Sequence, residues 1–320
     1  MEVAVAEAWL EKRAPVIWIL GMAVALLPAF LGPYPARLGI NVLKFIVLAI
    51  SFDILARAGQ MSVGHAAFYG IGAYAIAMLS VHKGVPVELG PLVGGLSAAA
   101  VAVGLGFLTL RIKGAYFSIG TLAFAEALKV IFLYARKYTF GAQGIGIEPL
   151  FGGNVLLSYA CILGLVVASA AVVRLLEVTG VNYALAAIRE DEDAAAMLGI
   201  DTTKYKVLAF AISASLAGAA GGFDAGYTTY VYPYEVFSVA ISVAAMIMPI
   251  FGGLYTLSGP IMGAVSVYLA EEILRKWIPQ GYTIVYGLVL MVSILYLPRG
   301  LRGLLLERVA PALRGREGAS

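Results

Sequence analysis

The sequence predicts an all-α polytopic membrane protein of about ten transmembrane helices, and three observations predict it. The 320-residue chain is 61% hydrophobic and only 13% charged, with a mean hydropathy of +0.91. A soluble domain is about 45–50% apolar and about 25% charged. The apolar residues fall in continuous runs near the roughly 20 residues that cross a bilayer as a helix, not in the alternating stretches of about ten that build a membrane barrel. The basic residues are shared unevenly between alternate loops, as the positive-inside rule expects.

The spans follow in order. The first, 15–31, comes after Glu2, Glu7 and Glu11 and has no small-x-small cleavage site tied to it, so it reads as a retained helix and not a cleaved signal. Spans 38–57 and 60–80 nearly touch at Ala58-Gly59. Spans 86–110 and 115–134 flank Arg111 and Lys113, and a glycine-rich loop over 135–153 leads to span 154–173. Residues 174–206 form the longest internal hydrophilic piece. Spans 207–223, 236–256, 259–275 and 281–297 complete the set, with an Arg-rich tail over 298–320. The joints at 58–59 and 257–258 are short enough to be broken or re-entrant segments buried in protein.

With the N-terminus inside, fourteen lysines and arginines face the cytoplasm, while Arg37, Lys83, Arg136, Lys137, Arg275 and Lys276 face outward and Lys44 and Lys129 lie within spans. This places both termini in the cytoplasm. The spans use up most of the chain, so 1–320 reads as one transmembrane domain. There is no convincing internal repeat, although Gly59–Tyr74 loosely echoes Gly253–Tyr268.

Several functions are excluded or weakened. A net charge of +3 does not argue for nucleic acid. A single cysteine, Cys161, rules out an internal disulfide, and two histidines make no ordinary zinc site. No GxxxxGK[ST] loop is present, so nucleotide hydrolysis is not expected from this chain. Ser62, His65 and Asp53 are close in sequence, but proximity is not a hydrolytic triad until geometry makes it one.

Glycine carries more information. The pairs Gly218/Gly222 and Gly259/Gly263 permit close helix crossings. The run from Gly64 to Tyr74 joins small residues to Gln60, Ser62, His65 and Phe68, which are candidates for lining the path of a polar solute. Charges inside spans call for a functional or paired explanation. Glu126 and Lys129 share a helical face, Asp53 and Arg57 are four apart, and Glu271 and Glu272 sit near Arg275. What remains is too sparse for an ion relay, which argues for an external energy source over a stand-alone ion-coupled transporter.

The hydrophilic piece is the most specific. Asp191 suits a helix N-cap, Glu192 and Asp193 the first turn, and Gly199 a left-handed C′ position. The expected two-turn helix, with Ala195 and Ala196 as a small-residue face, is too short to be stable alone and needs something to dock against. The 174–206 segment carries six acids against four bases on an otherwise basic face.

These motifs support a resemblance. Asp193-Ala194-Ala195-x-x-x-Gly199 resembles the cytoplasmic Glu-Ala-Ala-x-x-x-Gly loop of ABC-importer permeases, with Asp in place of Glu. Ala187–Glu192, Ala58–Phe68, Gly114–Phe117 with Thr121–Glu126, Phe251–Gly253 through Gly259-Pro260, and Pro298–Leu301 are similar to the LivM-type permeases of branched-chain amino acid uptake, in family order along nearly the whole chain. One departure is Asp53-Ile54-Leu55-Ala56-Arg57, where relatives commonly show Asn-Leu-Leu and then a glycine–aromatic pair.

The resemblance implies an ABC-importer permease fold in a bacterial plasma membrane. It also implies a LivH-type second permease, two LivG/LivF-type ATPases that bind the ATP and magnesium, and a periplasmic solute-binding protein. No cofactor or metal is expected in this chain. Arg189, Glu190, Asp191, Asp193, Ala194, Ala195 and Gly199 would couple to the ATPases. The default solutes are leucine, isoleucine and valine, and relatives also carry urea, amides and aromatic acids.

Overall fold

The computed structural model describes residues 25–109, 114–278 and 300–304, together with positions 280, 281, 284, 287, 288 and 291. Eight of the ten expected spans coincide with helices there. The first span lies largely outside the described residues, although 25–30 are helical. The last span and the basic tail also lie mostly outside them.

Helix α1 (Pro33–Ala56) begins with proline at its first position, where the missing N–H would have had no partner anyway. Helix α2 (His65–Lys83) stops at Gly84, whose φ of 65° suits a residue without Cβ. Then come α3 (Gly90–Thr109), α4 (Ala115–Tyr134) and α5 (Val155–Val178). Asn154 caps α5 by accepting from the N–H groups of Leu156 and Leu157 at 3.0 and 3.2 Å. Two short helices, α6 (Val181–Glu190) and α7 (Glu192–Met197), lead into the long α8 (Thr202–Thr228). Helices α9 (Val239–Gly252) and α10 (Ser258–Trp277) complete the described fold. Strands β1 (Ile145–Gly146) and β2 (Tyr230–Val231) pair antiparallel and tie together two loops at one end.

The core is built around α8, which packs against α3, α2 and α1. The glycines make this possible. A Cβ on Gly218 or Gly222 would strike the backbone of Gly94 or Gly90 in α3, and one on Gly72 of α2 would strike Gly218. Gly259 and Gly263 play the same part where α10 meets α9, against Gly253 and Met248. Both glycine pairs expected to permit close crossings do so, and dispersion between touching backbones holds such helices together without a hydrophobic driving force.

The boundaries need three corrections. Span 154–173 extends to Val178 and span 207–223 runs from Thr202 to Thr228, so the connector between them is 179–201 and is itself mostly helical. Hydropathy reads such helices short because their polar ends do not score as apolar. Span 60–80 begins at His65, and most of the non-helical stretch before it is buried. Span 236–256 is α9 with a single helical turn before it (Pro233–Val236) and a turn after it over 253–257. Both short joints are thus non-helical segments within the packed protein, and the echo between Gly59–Tyr74 and Gly253–Tyr268 corresponds to a coil feeding a helix in each case.

Candidate functional site

The connector α6–α7 forms as its local residues dictate. The Asp191 carboxylate accepts from the N–H groups of Asp193 and Ala194, both at 2.9 Å. At the other end Gly199 has φ 84°, its N–H donates to the Ala196 carbonyl at 3.0 Å, and the Ile200 N–H donates to the Ala195 carbonyl at 3.1 Å. This is the Schellman closure that glycine at C′ permits.

Two details differ from the expectation. Ala195 is buried, because it faces the rest of this chain, and it offers no docking surface. Glu192 also turns inward, where its carboxylate meets the buried ammonium of Lys206 at 2.5 Å. The outward groups are Asp193, Ala194, Ala196, Met197 and Leu198, with Met197 89% and Leu198 82% exposed. A two-turn helix bearing alanine at three successive positions does not reveal which one faces inward.

The connector is tied down by a buried polar hub. The Arg57 Nε donates to Asp53 Oδ2 at 3.0 Å, and its Nη1 donates to Asn182 Oδ1 at 3.0 Å and reaches Glu177 Oε1 at 3.4 Å. The other Asp53 oxygen accepts from the Tyr255 N–H at 2.6 Å. The guanidinium of Arg189 lies over the Tyr255 ring, 3.9 Å from its centre. Helix α6 is therefore held at its start through Asn182 and at its end through Arg189, and both links converge on Asp53. Glu190 extends outward beside Arg189.

The segment before α2 is held just as firmly. Ser118 donates to the Met61 carbonyl at 2.5 Å, and the Val63 N–H donates to the Thr121 hydroxyl at 3.2 Å. A Cβ on Gly64 would collide with the Thr121 backbone. Gln60, Ser62, His65 and Phe68 are all buried among helices of this chain. Ser62 Oγ accepts from the Gly64 N–H at 3.1 Å, His65 Nε2 lies 3.2 Å from Ser213 Oγ, and Phe68 stacks edge-on against Phe210. These four residues come together in one buried region, where Gln60 Oε1 and His65 Nδ1 have no hydrogen-bond partner. The His65 Nε2 meets Ser213 and not the Ser62 hydroxyl, and Asp53 is occupied by Arg57, so no triad forms.

A family model described as "Branched-chain amino acid transport system / permease component" matches residues 36–295. The chain belongs to that family. The permease is 30% identical over 306 residues to the high-affinity branched-chain amino acid permease protein LivM of Escherichia coli K12, covering 86% of this chain and 71% of the relative. The LivM protein of Salmonella typhimurium is also 30% identical, covering 86% and 70%. The Escherichia coli K12 LivH protein is 22% identical over 81% of this chain and 91% of its own length. No solved structure matches significantly.

Within this multi-pass permease Glu126 and Lys129 pair as expected, and Glu271 and Glu272, expected to reach headgroups, pair with Arg275. Lys129 meets Glu126, and Arg275 meets Glu271 at 2.8 Å and Glu272 at 3.8 Å. One cluster was missed. Lys44 Nζ lies 2.8 Å from Asp224 Oδ1, while Tyr69 donates to Asp224 Oδ2 at 2.5 Å. The apolar run of the seventh span ends at Phe223, one residue short of Asp224. Lys44, a basic residue well inside span 38–57, is the signal in the sequence that an acid lies opposite.

Proposed function

We propose that this permease works as one of two permease subunits in an ATP-driven importer of branched-chain amino acids in a bacterial plasma membrane, with both termini in the cytoplasm. A LivH-type permease pairs with it, LivG/LivF-type ATPases hold the nucleotide and magnesium, and a periplasmic binding protein delivers the solute. The observation that carries the reading is the capped helix α7. It presents two nearly bare apolar side chains, Met197 and Leu198, beside acidic Glu190 and Asp193. Apolar surface of that kind on a helix too short to stand alone is suited to a groove in another protein. The motion of a docked α7 would pass through Asn182 and Arg189 into the Asp53–Arg57 hub and so to the ends of α1 and α10.

Replacing Met197 and Leu198 together by aspartate should abolish solute-stimulated ATP hydrolysis in the reconstituted complex while leaving insertion and permease pairing intact. Gly199→Val should do the same, since a β-branched side chain resists positive φ. Normal stimulation in both variants would reduce the connector to a link between helices. Reporter fusions after Gly153 and after Arg316 should report outside and inside, and the same side for both would overturn the orientation.

A further inference from the structure

The geometry points to a head-group site for a zwitterionic α-amino acid at Lys44, Asp224 and Glu235, an inference that rests on the amino-acid transport reading above. Lys44 is near the middle of α1, about 16–18 Å along the helix from either end at 1.5 Å per residue. A charge at that depth is costly and is kept for a reason. Its partner comes from another helix, and the pair is not sealed. Lys44 and Asp224 line a cavity of about 100 Å³ that is open on one side, together with Tyr69, Glu235 and Thr228.

The chemistry of the lining fits a zwitterion. One ammonium and two carboxylates line the cavity; Lys44 pairs with Asp224, and Glu235 is exposed and has no ion-pair partner among the described residues. An incoming carboxylate can take Lys44, and an incoming ammonium can take Asp224 and Glu235, so each ion of the resident pair exchanges one partner for another. Charge-assisted bonds of this kind are about twice as strong as neutral ones. The volume takes several water molecules and holds the charged end of an amino acid, while the open side leaves room for the rest of the molecule. Phe45, Leu48, Val236 and Ile241 form the apolar part of the same lining and suit an aliphatic side chain. Tyr69, bound to the far oxygen of Asp224, fixes the orientation of that carboxylate.

Accessibility of the cavity tests this without relying on transport. In the assembled complex in lipid nanodiscs, with Cys161→Ala as background, Thr228→Cys puts a thiol on the lining for reaction with a methanethiosulfonate. Saturating L-leucine should slow labelling by about tenfold or more, a loss of access equivalent to ~1.4 kcal/mol. Leucinamide, which lacks the carboxylate, and 4-methylpentanoate, which lacks the ammonium, should not. Protection should disappear in the double variant Lys44→Met/Asp224→Asn, which leaves no orphaned charge to unfold the protein. Labelling indifferent to leucine, equal protection by the two analogues, or protection that survives in the double variant would each overturn the site. Binding-protein-dependent leucine uptake by the same preparation reports separately on the transport reading. Its absence would sink that reading, whereas uptake with an unprotected thiol would sink the site alone.

Discussion

Two ion pairs, one buried and one half-buried, bracket the C-terminal half of α1, and they differ in one respect. Asp53–Arg57 is closed on all sides, with side chains 1% and 2% exposed and further bonds to Tyr255, Asn182 and Glu177. Lys44–Asp224 opens onto a cavity, with side chains 13% and 15% exposed. A sealed pair bonded to Tyr255, Asn182 and Glu177 is a joint. A pair beside empty polar space can exchange partners. The same helix therefore carries a mechanical element at one end and an electrostatic one halfway along, and the physical difference is access, not charge.

The comparison can be broken by substitution. Arg57→Met should be the most damaging change, because it strands Asp53 in the interior at a cost of about 3–5 kcal/mol. The expected readout is a large fall in the thermal midpoint of the purified complex or failure to assemble. Lys44→Met should cost less, about 1–3 kcal/mol, since water in the cavity can solvate the abandoned Asp224. If thermal melts rank the two the other way round, the distinction between joint and open site is lost. Tyr255→Ala should sharpen the first half of the comparison. Loss of the stacking under Arg189 should cost about 0.5–2 kcal/mol, yet solute-stimulated ATP hydrolysis should fall well beyond what that stability change explains. Arg275→Gln, in a half-exposed cluster with Glu271 and Glu272, should change the midpoint least, by less than about 1 kcal/mol.

The sequence made some of this legible and hid the rest for physical reasons. Helices were visible as apolar runs because the bilayer imposes their length. Asp191 and Gly199 were visible because caps are made within a few residues of chain. The i,i+4 pairing of Asp53 with Arg57 was visible for the same reason. Contacts between distant positions left no such trace. Tyr255 reaches Asp53 across 202 residues, and Asp224 reaches Lys44 across 180. The polar cluster at Gln60, Ser62 and His65 suggests a path because polarity inside a membrane suits a solute. A buried stretch that has left the helix needs polar side chains equally, and Ser62 accepts from the Gly64 N–H there. Ala195 misled because composition alone does not say which face of a short helix turns inward.

The glycine contacts of α8 also set its leverage. The helix is about 40 Å long, and it is clasped by α2 and α3 at Gly218 and Gly222, near its far end. A rod gripped there has an arm of about 27 Å toward Thr202 and one of about 12 Å toward Thr228. A displacement applied beside the connector would sweep the Thr202 end about twice as far as the Thr228 end, so the two ends of one rigid helix would open by unequal amounts.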